Sequence, residues 1–195
     1  MNTLTIQNLF EANRGVLTSK ELMRHGLSYY AIQRLLDKGV LDKIKRGVYT
    51  LTDSDEHEYG LITKLVPKAV FCLQSAASFY NYTTQIPLRH HLAVFTKSKY
   101  TLPKHPPIKL YYWQKSQYEL GVEKELVDDI EINIYDREKT VCDFMKFRNK
   151  IGMDVVKEVL KSYLKDPKRD IVKLKRYSHE LSISTVVDQY LSILI

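Results

Sequence analysis

Residues 15–51 read GVLTSKELMRHGLSYYAIQRLLDKGVLDKIKRGVYTL, and the order of signals in this stretch decides the fold of the N-terminal part of the chain. Thr18-Ser19-Lys20-Glu21 has the form of a capping box, in which Thr18 caps a helix start and Glu21 reaches back to the Thr18 amide. The helix so opened runs through Arg24 and buries Leu22 and Met23. His25-Gly26-Leu27 supplies a short turn. Ser28 is an N-cap for a further helix over 29–38, which Gly39 closes at its C′ position. Ile32, Leu35 and Leu36 form one apolar stripe of that helix, with Ala31 near its edge, while Tyr30, Gln33, Arg34 and Asp37 fall on the opposite face. Two helices joined by a three-residue turn, the second with a polar outer face, match a helix-turn-helix.

The flanks extend the pattern. Leu4, Ile6, Leu9 and Phe10 recur at helical spacing, so 3–12 reads as a short amphipathic helix that Arg14-Gly15 ends. After Gly39, strand-type residues take over: Val40, Leu41, Ile44, Val48, Tyr49 and Leu51, with Arg46-Gly47 suited to a tight hairpin turn. A basic hairpin directly after a recognition helix is the wing of a winged helix, and it defines a candidate interface for double-stranded DNA. Gln33 and Arg34 would reach base edges, Lys43, Lys45 and Arg46 would meet phosphate, and Tyr30 suits either task. Thr18, Ser19 and Lys20 at the start of the second helix, with Ser28, Tyr29 and Lys38 at the ends of the third, complete the set. A capped three-helix unit with a hairpin also serves as a protein-interaction module, its lysines a solvated surface. An adaptor without DNA is therefore the competing reading.

The 195-residue chain carries a net charge of +7, unevenly spread. Residues 1–52 hold eight Lys/Arg against four Asp/Glu, residues 53–135 nine against ten, and residues 136–181 thirteen against eight. Positive charge thus gathers toward both ends of the chain, which favours a polyanionic partner without proving one. An apolar fraction of 44% and a charged fraction of 27% are those of a folded soluble protein, and no apolar run approaches the roughly 18 residues of a membrane span. The first residues, MNTLTIQNLFEANRG, have neither a basic opening nor an apolar signal core, and the two cysteines, Cys72 and Cys142, sit in apolar settings. A reducing cytoplasm is the expected compartment.

Beyond the wing, Asp53 or Ser54 would cap a helix to about Val66, with Pro67 marking its end. Strands are expected at 69–71, 91–96, 108–113 and 130–134, and helices at 74–80, 136–147, 153–164, 170–181 and 184–194. The expected class is α/β (α+β): a winged helix-turn-helix over 1–52, then a mixed domain over 53–195 that ends in several helices. Lys168, Arg169, Lys175 and Arg176 are candidates for additional phosphate contacts, although a solvated helix accounts for them equally well.

The sequence offers little to an enzyme. Asp136, Glu138 and Asp143 gather at one helix start, but an N-cap, a favourable dipole position and an ion pair with a neighbouring base explain them better than a metal. A PD-(D/E)xK nuclease fails on pattern, because Asp129 and Glu131 are followed by isoleucine and asparagine rather than by a suitably spaced lysine. Neither the six histidines nor the two cysteines show metal-ligand spacing, and there is no phosphate loop, dinucleotide fingerprint or nucleophile elbow. No catalytic residue, cofactor or metal is expected. Tyr111-Tyr112-Trp113, with Tyr100 and Tyr118, has the composition of a base-stacking surface, but a tyrosine-rich strand more often packs a core.

The run 15–51, above all the helix ending in glycine followed by a short basic stretch and Arg46-Gly47-Val48-Tyr49, resembles the N-terminal winged helix of AbiEi-type antitoxins. Tyr135-Asp136-Arg137-Glu138-Lys139-Thr140-Val141-Cys142-Asp143, followed by residues 147–152 (FRNKIG), is similar to a motif of that family's C-terminal region, and Leu160, Tyr163, Leu164 and Tyr190-Leu191 in the closing helices also fit it. The likeness covers nearly the whole chain and is least distinctive between about 53 and 130. The resemblance implies a bacterial transcriptional regulator and antitoxin of an abortive-infection (phage-defence) pair. It would bind inverted-repeat operator DNA to repress its own operon, and would counter a cognate nucleotidyltransferase toxin through its C-terminal domain, without a stable toxin complex. A winged-helix regulator with a ligand-sensing domain and no toxin partner is the nearest alternative. With no zipper or long coiled coil to supply a dimer interface, one monomer on each half-site is the expected mode.

Overall fold

The computed structural model describes residues 3–52 and 58–194. The expected cap at Asp53 or Ser54 lies outside the described residues. The polypeptide divides into two compact units, one of Met1–Lys68 with Tyr100–Pro106 and Val127–Ile130, the other of Ala69–Lys99, Pro107–Leu126 and Glu131–Ile195.

The first unit opens with α1 (Thr3–Ala12), β1 (Val16–Thr18), α2 (Ser19–Arg24) and α3 (Tyr29–Asp37), followed by the hairpin β2 (Leu41–Lys45) and β3 (Val48–Leu51) and by α4 (Glu58–Leu65). The strands form an antiparallel sheet in the order β1-β3-β2, with Leu17 opposite Tyr49 and Leu41 opposite Leu51. Ile6 and Phe10 from α1, Leu22 from α2, Leu27, Ile32 from α3, and Leu41 and Tyr49 from the sheet bury against one another as a single apolar cluster. The apolar faces of α1 and α3 therefore meet in one core, although Leu4 of the expected α1 stripe and Met23 of α2 stay exposed, and burying each side chain of the cluster is worth about 1.5–3 kcal/mol against leaving it in water. Gly47 occupies the hairpin turn at φ 80°, where its carbonyl accepts from the Ser19 amide at 2.9 Å and a Cβ would meet Ser19 Oγ at 3.3 Å. A glycine suits both the positive φ and the close approach.

The second unit contains β4 (Val70–Phe71), α5 (Leu73–Phe79), β5 (His90–Phe95), β6 (Ile108–Trp113), α6 (Lys115–Glu119), β7 (Val122–Val127) and β8 (Ile130–Tyr135). A helical run completes it: α7 (Arg137–Lys146), α8 (Arg148–Ile151), α9 (Met153–Lys165), α10 (Ile171–Glu180) and α11 (Ser184–Leu194). Its sheet has the order β6-β5-β4-β8-β7 and is mixed: β5 runs parallel to β6 and β4 parallel to β8, while β4 and β5 are antiparallel. The α+β class read from the sequence is the class observed.

Helix α7 is the axis of this unit. Every residue from Glu138 to Met145 is buried, and α5, α9, α10 and α11 pack around it. A helix buried all round must carry apolar residues or satisfied polar ones, and α7 carries both. Asp136 caps it by accepting from the Lys139 amide at 2.7 Å, and also accepts from the Tyr177 hydroxyl and the Lys173 ammonium, each at 3.0 Å. Glu138 accepts from the Tyr163 hydroxyl at 3.1 Å and the Asp170 amide at 3.0 Å. The Lys139 ammonium donates to both oxygens of Asp143 at 2.7 Å, and its charge lies 4.1 Å from the centroids of Trp113 and of Tyr135. Burial pushes the Asp143 carboxyl up to about 6 against the pull of Lys139. Gly121, at φ 70°, brings its carbonyl within 2.7 Å of the Asp136 amide, and a Cβ there would come within 2.7 Å of Lys139 Cβ. The three carboxylates Asp136, Glu138 and Asp143 are therefore fold-determining groups, each with a partner inside the protein.

Candidate nucleic-acid interface

The helix-turn-helix geometry is built locally. Thr18 and Glu21 form the reciprocal capping box: the Glu21 amide donates to Thr18 Oγ1 at 3.3 Å, and the Thr18 amide donates back to Glu21 Oε2 at 2.7 Å. Glu21 also pairs with the Lys64 ammonium from α4. Burial raises the Glu21 carboxyl, but Lys64 and the Thr18 amide and hydroxyl outweigh it and hold the group below its ordinary value of 4.5. A carboxylate whose pKa is depressed by folding adds stability that is present above its unfolded value and is lost as pH falls through the folded one. Urea unfolding followed by circular dichroism should accordingly show Glu21→Gln clearly less stable than wild type at about pH 7 and close to it at about pH 3. An equal deficit at both would show that the capping box works through shape rather than charge.

Ser28 caps α3 by accepting from the Ala31 amide at 3.2 Å, which fixes the direction in which the helix leaves the turn. Ile32 is buried and anchors α3 to the core, leaving Tyr29, Tyr30, Gln33 and Arg34 exposed, with Tyr29 66% and Tyr30 73% accessible. Two solvent-facing tyrosines on one short helix are unusual in the absence of a partner surface, because such rings usually bury their apolar bodies. Gln33 donates its amide to Asp37 at 3.0 Å, one turn on. Arg34 makes no ion pair among the described residues. Lys20, Lys38, Lys43 and Arg46 are exposed, while Thr18 and Ser19 are half-buried beside the hairpin turn.

Lys45 takes a different position from its neighbours. Its ammonium donates to the Leu65 carbonyl at 2.7 Å, at the end of α4, and burial lowers its pKa. The cause lies in the strand: the pairing of β2 with β3 shifts register between Lys43 and Lys45, from Lys43 opposite Tyr49 to Lys45 opposite Val48. A bulge re-aims the side chains that follow it, so strict alternation does not place Lys45 on the outer face with Lys43. In this arrangement Lys45 braces the hairpin to α4, and the cations of the wing left exposed are Lys43 and Arg46.

In the second unit, Lys168 and Arg169 lie in the turn before α10, and Lys175 and Arg176 lie on it; all four are exposed. Each of the last two has an acidic neighbour at the limit of an ion pair, Asp188 at 3.9 Å from Lys175 and Glu180 at 4.0 Å from Arg176. Such exposed pairs contribute little and leave both cations accessible. Of the tyrosine-rich strand β6, Trp113 is buried and stacked on Tyr135, whereas Tyr112 is 50% exposed, so the strand is mainly a core element with one phenol outward. Among the described residues, no group of three or more His, Cys, Asp or Glu is placed to hold a metal ion, and no helix is long and apolar enough to cross a membrane.

A helix-turn-helix followed by a basic hairpin, which a strand preceding the two helices extends to a three-stranded sheet, is a winged helix, the class to which the first unit belongs. Residues 5–52 match the family model described as transcriptional regulator, AbiEi antitoxin, so this part of the chain is similar to that family's N-terminal module. The match spans α1 through β3, the same elements that share the apolar cluster. No curated protein matches the chain at a significant level.

Proposed function

We propose that this protein is a cytoplasmic DNA-binding repressor of its own operon. Residues 1–52 would read inverted-repeat operator DNA, and residues 53–195 would form the domain that counters a nucleotidyltransferase toxin without a stable complex. The observation that carries the DNA reading is the outer face of α3, where Tyr29, Tyr30, Gln33 and Arg34 project from a helix anchored by Ile32, beside a wing that exposes Lys43 and Arg46. A recognition helix of this kind fits the major groove, and wing cations suit the adjacent phosphates. Thr18, Ser19, Lys20, Ser28 and Lys38 are assigned to backbone contacts that fix register. The toxin-countering role is supported by the resemblance over 135–152 and by the family described for residues 5–52. The reading assigns the chain no reaction, since Asp136, Glu138 and Asp143 are spent on caps and ion pairs within the fold.

The test is a titration of the full chain against the DNA upstream of its own gene and against random duplex, each at several salt concentrations. Specific binding that weakens with salt is expected, because neutralised phosphates release counterions. Lys43→Ala should weaken both duplexes alike and reduce the salt slope by about one. Lys45→Ala should leave the slope unchanged and lower thermal stability instead. Binding that is weak and indifferent to sequence would sink the repressor and favour a protein-interaction adaptor. Loss of slope on Lys45→Ala would mean that its tie to Leu65 opens on DNA.

A further inference from the structure

The second unit contains a cavity of about 700 Å³, within the range of small-molecule sites, whose polar chemistry has one sign. Arg89, Lys109 and Lys150 line it, and no carboxylate does. Among the described residues none of these three cations makes an ion pair. Exposed cations without an ion pair, such as Lys157 and Lys161, also occur elsewhere on this unit; what sets the hollow apart is that three of them converge on one concave surface with no carboxylate in its lining.

The wall between them is aromatic. Tyr111 and Phe147 line the cavity with ring centroids 6.0 Å apart, and the Lys109 ammonium stands 5.3 Å from the Tyr111 centroid. His91 lies beside Tyr111, its Nδ1 3.1 Å from the phenol oxygen. Burial, joined by Lys109, His90 and Arg89, pushes the His91 imidazole down to about 4. Leu73, also in the lining, is buried and holds a φ of 45°, a conformation that costs a branched residue energy and tends to occur at functional sites. At the lip Ile86 and Leu88 are 88% and 91% exposed.

Cations suit phosphate, aromatic faces suit a planar base, and the volume suits one molecule that has both. We propose that this cavity binds a nucleoside phosphate, with the phosphates on Arg89, Lys109 and Lys150 and the base against Tyr111 and Phe147. The proposal is independent of the DNA interface, which lies in the other unit. Stacking without a hydrogen-bonding frame tolerates any base, so the phosphates set the affinity.

Isothermal titration of the full chain with ADP, GDP and UDP tests it. All three should bind with similar affinity, and adenosine and inorganic pyrophosphate should each bind about tenfold or more weaker than ADP, since each lacks one of the two sets of contacts. Arg89→Glu combined with Lys109→Glu, two exposed sites, should weaken ADP by about tenfold or more and leave the urea midpoint unchanged. Arg34→Ala should not affect ADP at all. The proposal is overturned if none of the three nucleotides binds at up to roughly 1 mM, the weak end of ordinary ligand affinity. It is equally overturned if the double variant binds ADP as wild type does. An acidic, aromatic peptide or a single-stranded oligonucleotide that displaces ADP with more than about tenfold higher affinity would also overturn it, by making the cavity part of a macromolecular surface.

Discussion

Asp143→Leu lowers the stability of the second unit by about 3–5 kcal/mol, the cost of stranding a buried charge. Both members of the Lys139–Asp143 pair have fully buried side chains, so the Lys139 ammonium has no route to solvent once its counter-charge is gone. The faces of Trp113 and Tyr135 remain beside it, but a desolvated cation–π contact is worth about 2 kcal/mol, too little to replace a carboxylate that accepts through both oxygens. A domain whose net stability is of the order of 5–15 kcal/mol then sits near its threshold. Trp113, the chain's single tryptophan, lies in the same cage, so urea unfolding followed by its fluorescence reads the affected region. The double variant Lys139→Met, Asp143→Leu should recover most of the loss, because apolar groups of similar volume replace a buried pair at little cost. A double variant as unstable as the single one would assign the effect to altered packing around α7 instead.

The pair shows where reading the sequence stops. The spacing of Lys139 and Asp143 is legible, as is the cap at Asp136, because both are local: one turn of helix and one N-terminus. Tyr163, Lys173 and Tyr177, which complete the set of partners, arrive from α9 and α10, and no local signal ties them to Asp136 or Glu138. Strands divide in the same way. β5, β6 and β8 are apolar enough to be read directly, whereas β1 is three residues long and β7 is the charged run Val122-Glu123-Lys124-Glu125-Leu126-Val127 at the edge of the sheet. β1 exists through pairing with the distant β3, and β7 through pairing with β8 despite its charged composition; propensity is blind to both. Lys45 shows the remaining limit: a bulge decides its side, and hydrophobic alternation carries no trace of it. The cavity of the second unit was equally hidden, since Arg89, Lys109 and Lys150 belong to three separate segments.

The capping box, the apolar stripe and the basic hairpin, by contrast, are all written in short-range spacing, which is why the elements that carry the proposed DNA face are legible in the sequence. That set makes its sharpest prediction at Arg34. On the outer face of α3, Gln33 is tied to Asp37 at 3.0 Å, whereas Arg34 is exposed and unpaired among the described residues. A guanidinium presents five donors in a rigid fork that matches guanine O6 and N7, and one such bidentate contact discriminates against the wrong base by about 1–3 kcal/mol. Arg34→Ala should therefore reduce the ratio of operator to random-duplex affinity by a factor of roughly 5–150, while binding to random DNA falls far less. Arg34→Lys should keep the random-duplex affinity and still fail to restore the ratio, because an ammonium is a point charge without the fork. Neither substitution touches the core, which Ile32 anchors from the opposite side of the helix, so the circular dichroism melting curve should be unchanged. If Arg34→Ala instead weakens operator and random DNA equally, as Lys43→Ala is expected to do, Arg34 contacts phosphate. Base reading by α3 must then fall to Tyr29, Tyr30 or Gln33, which share that outer face.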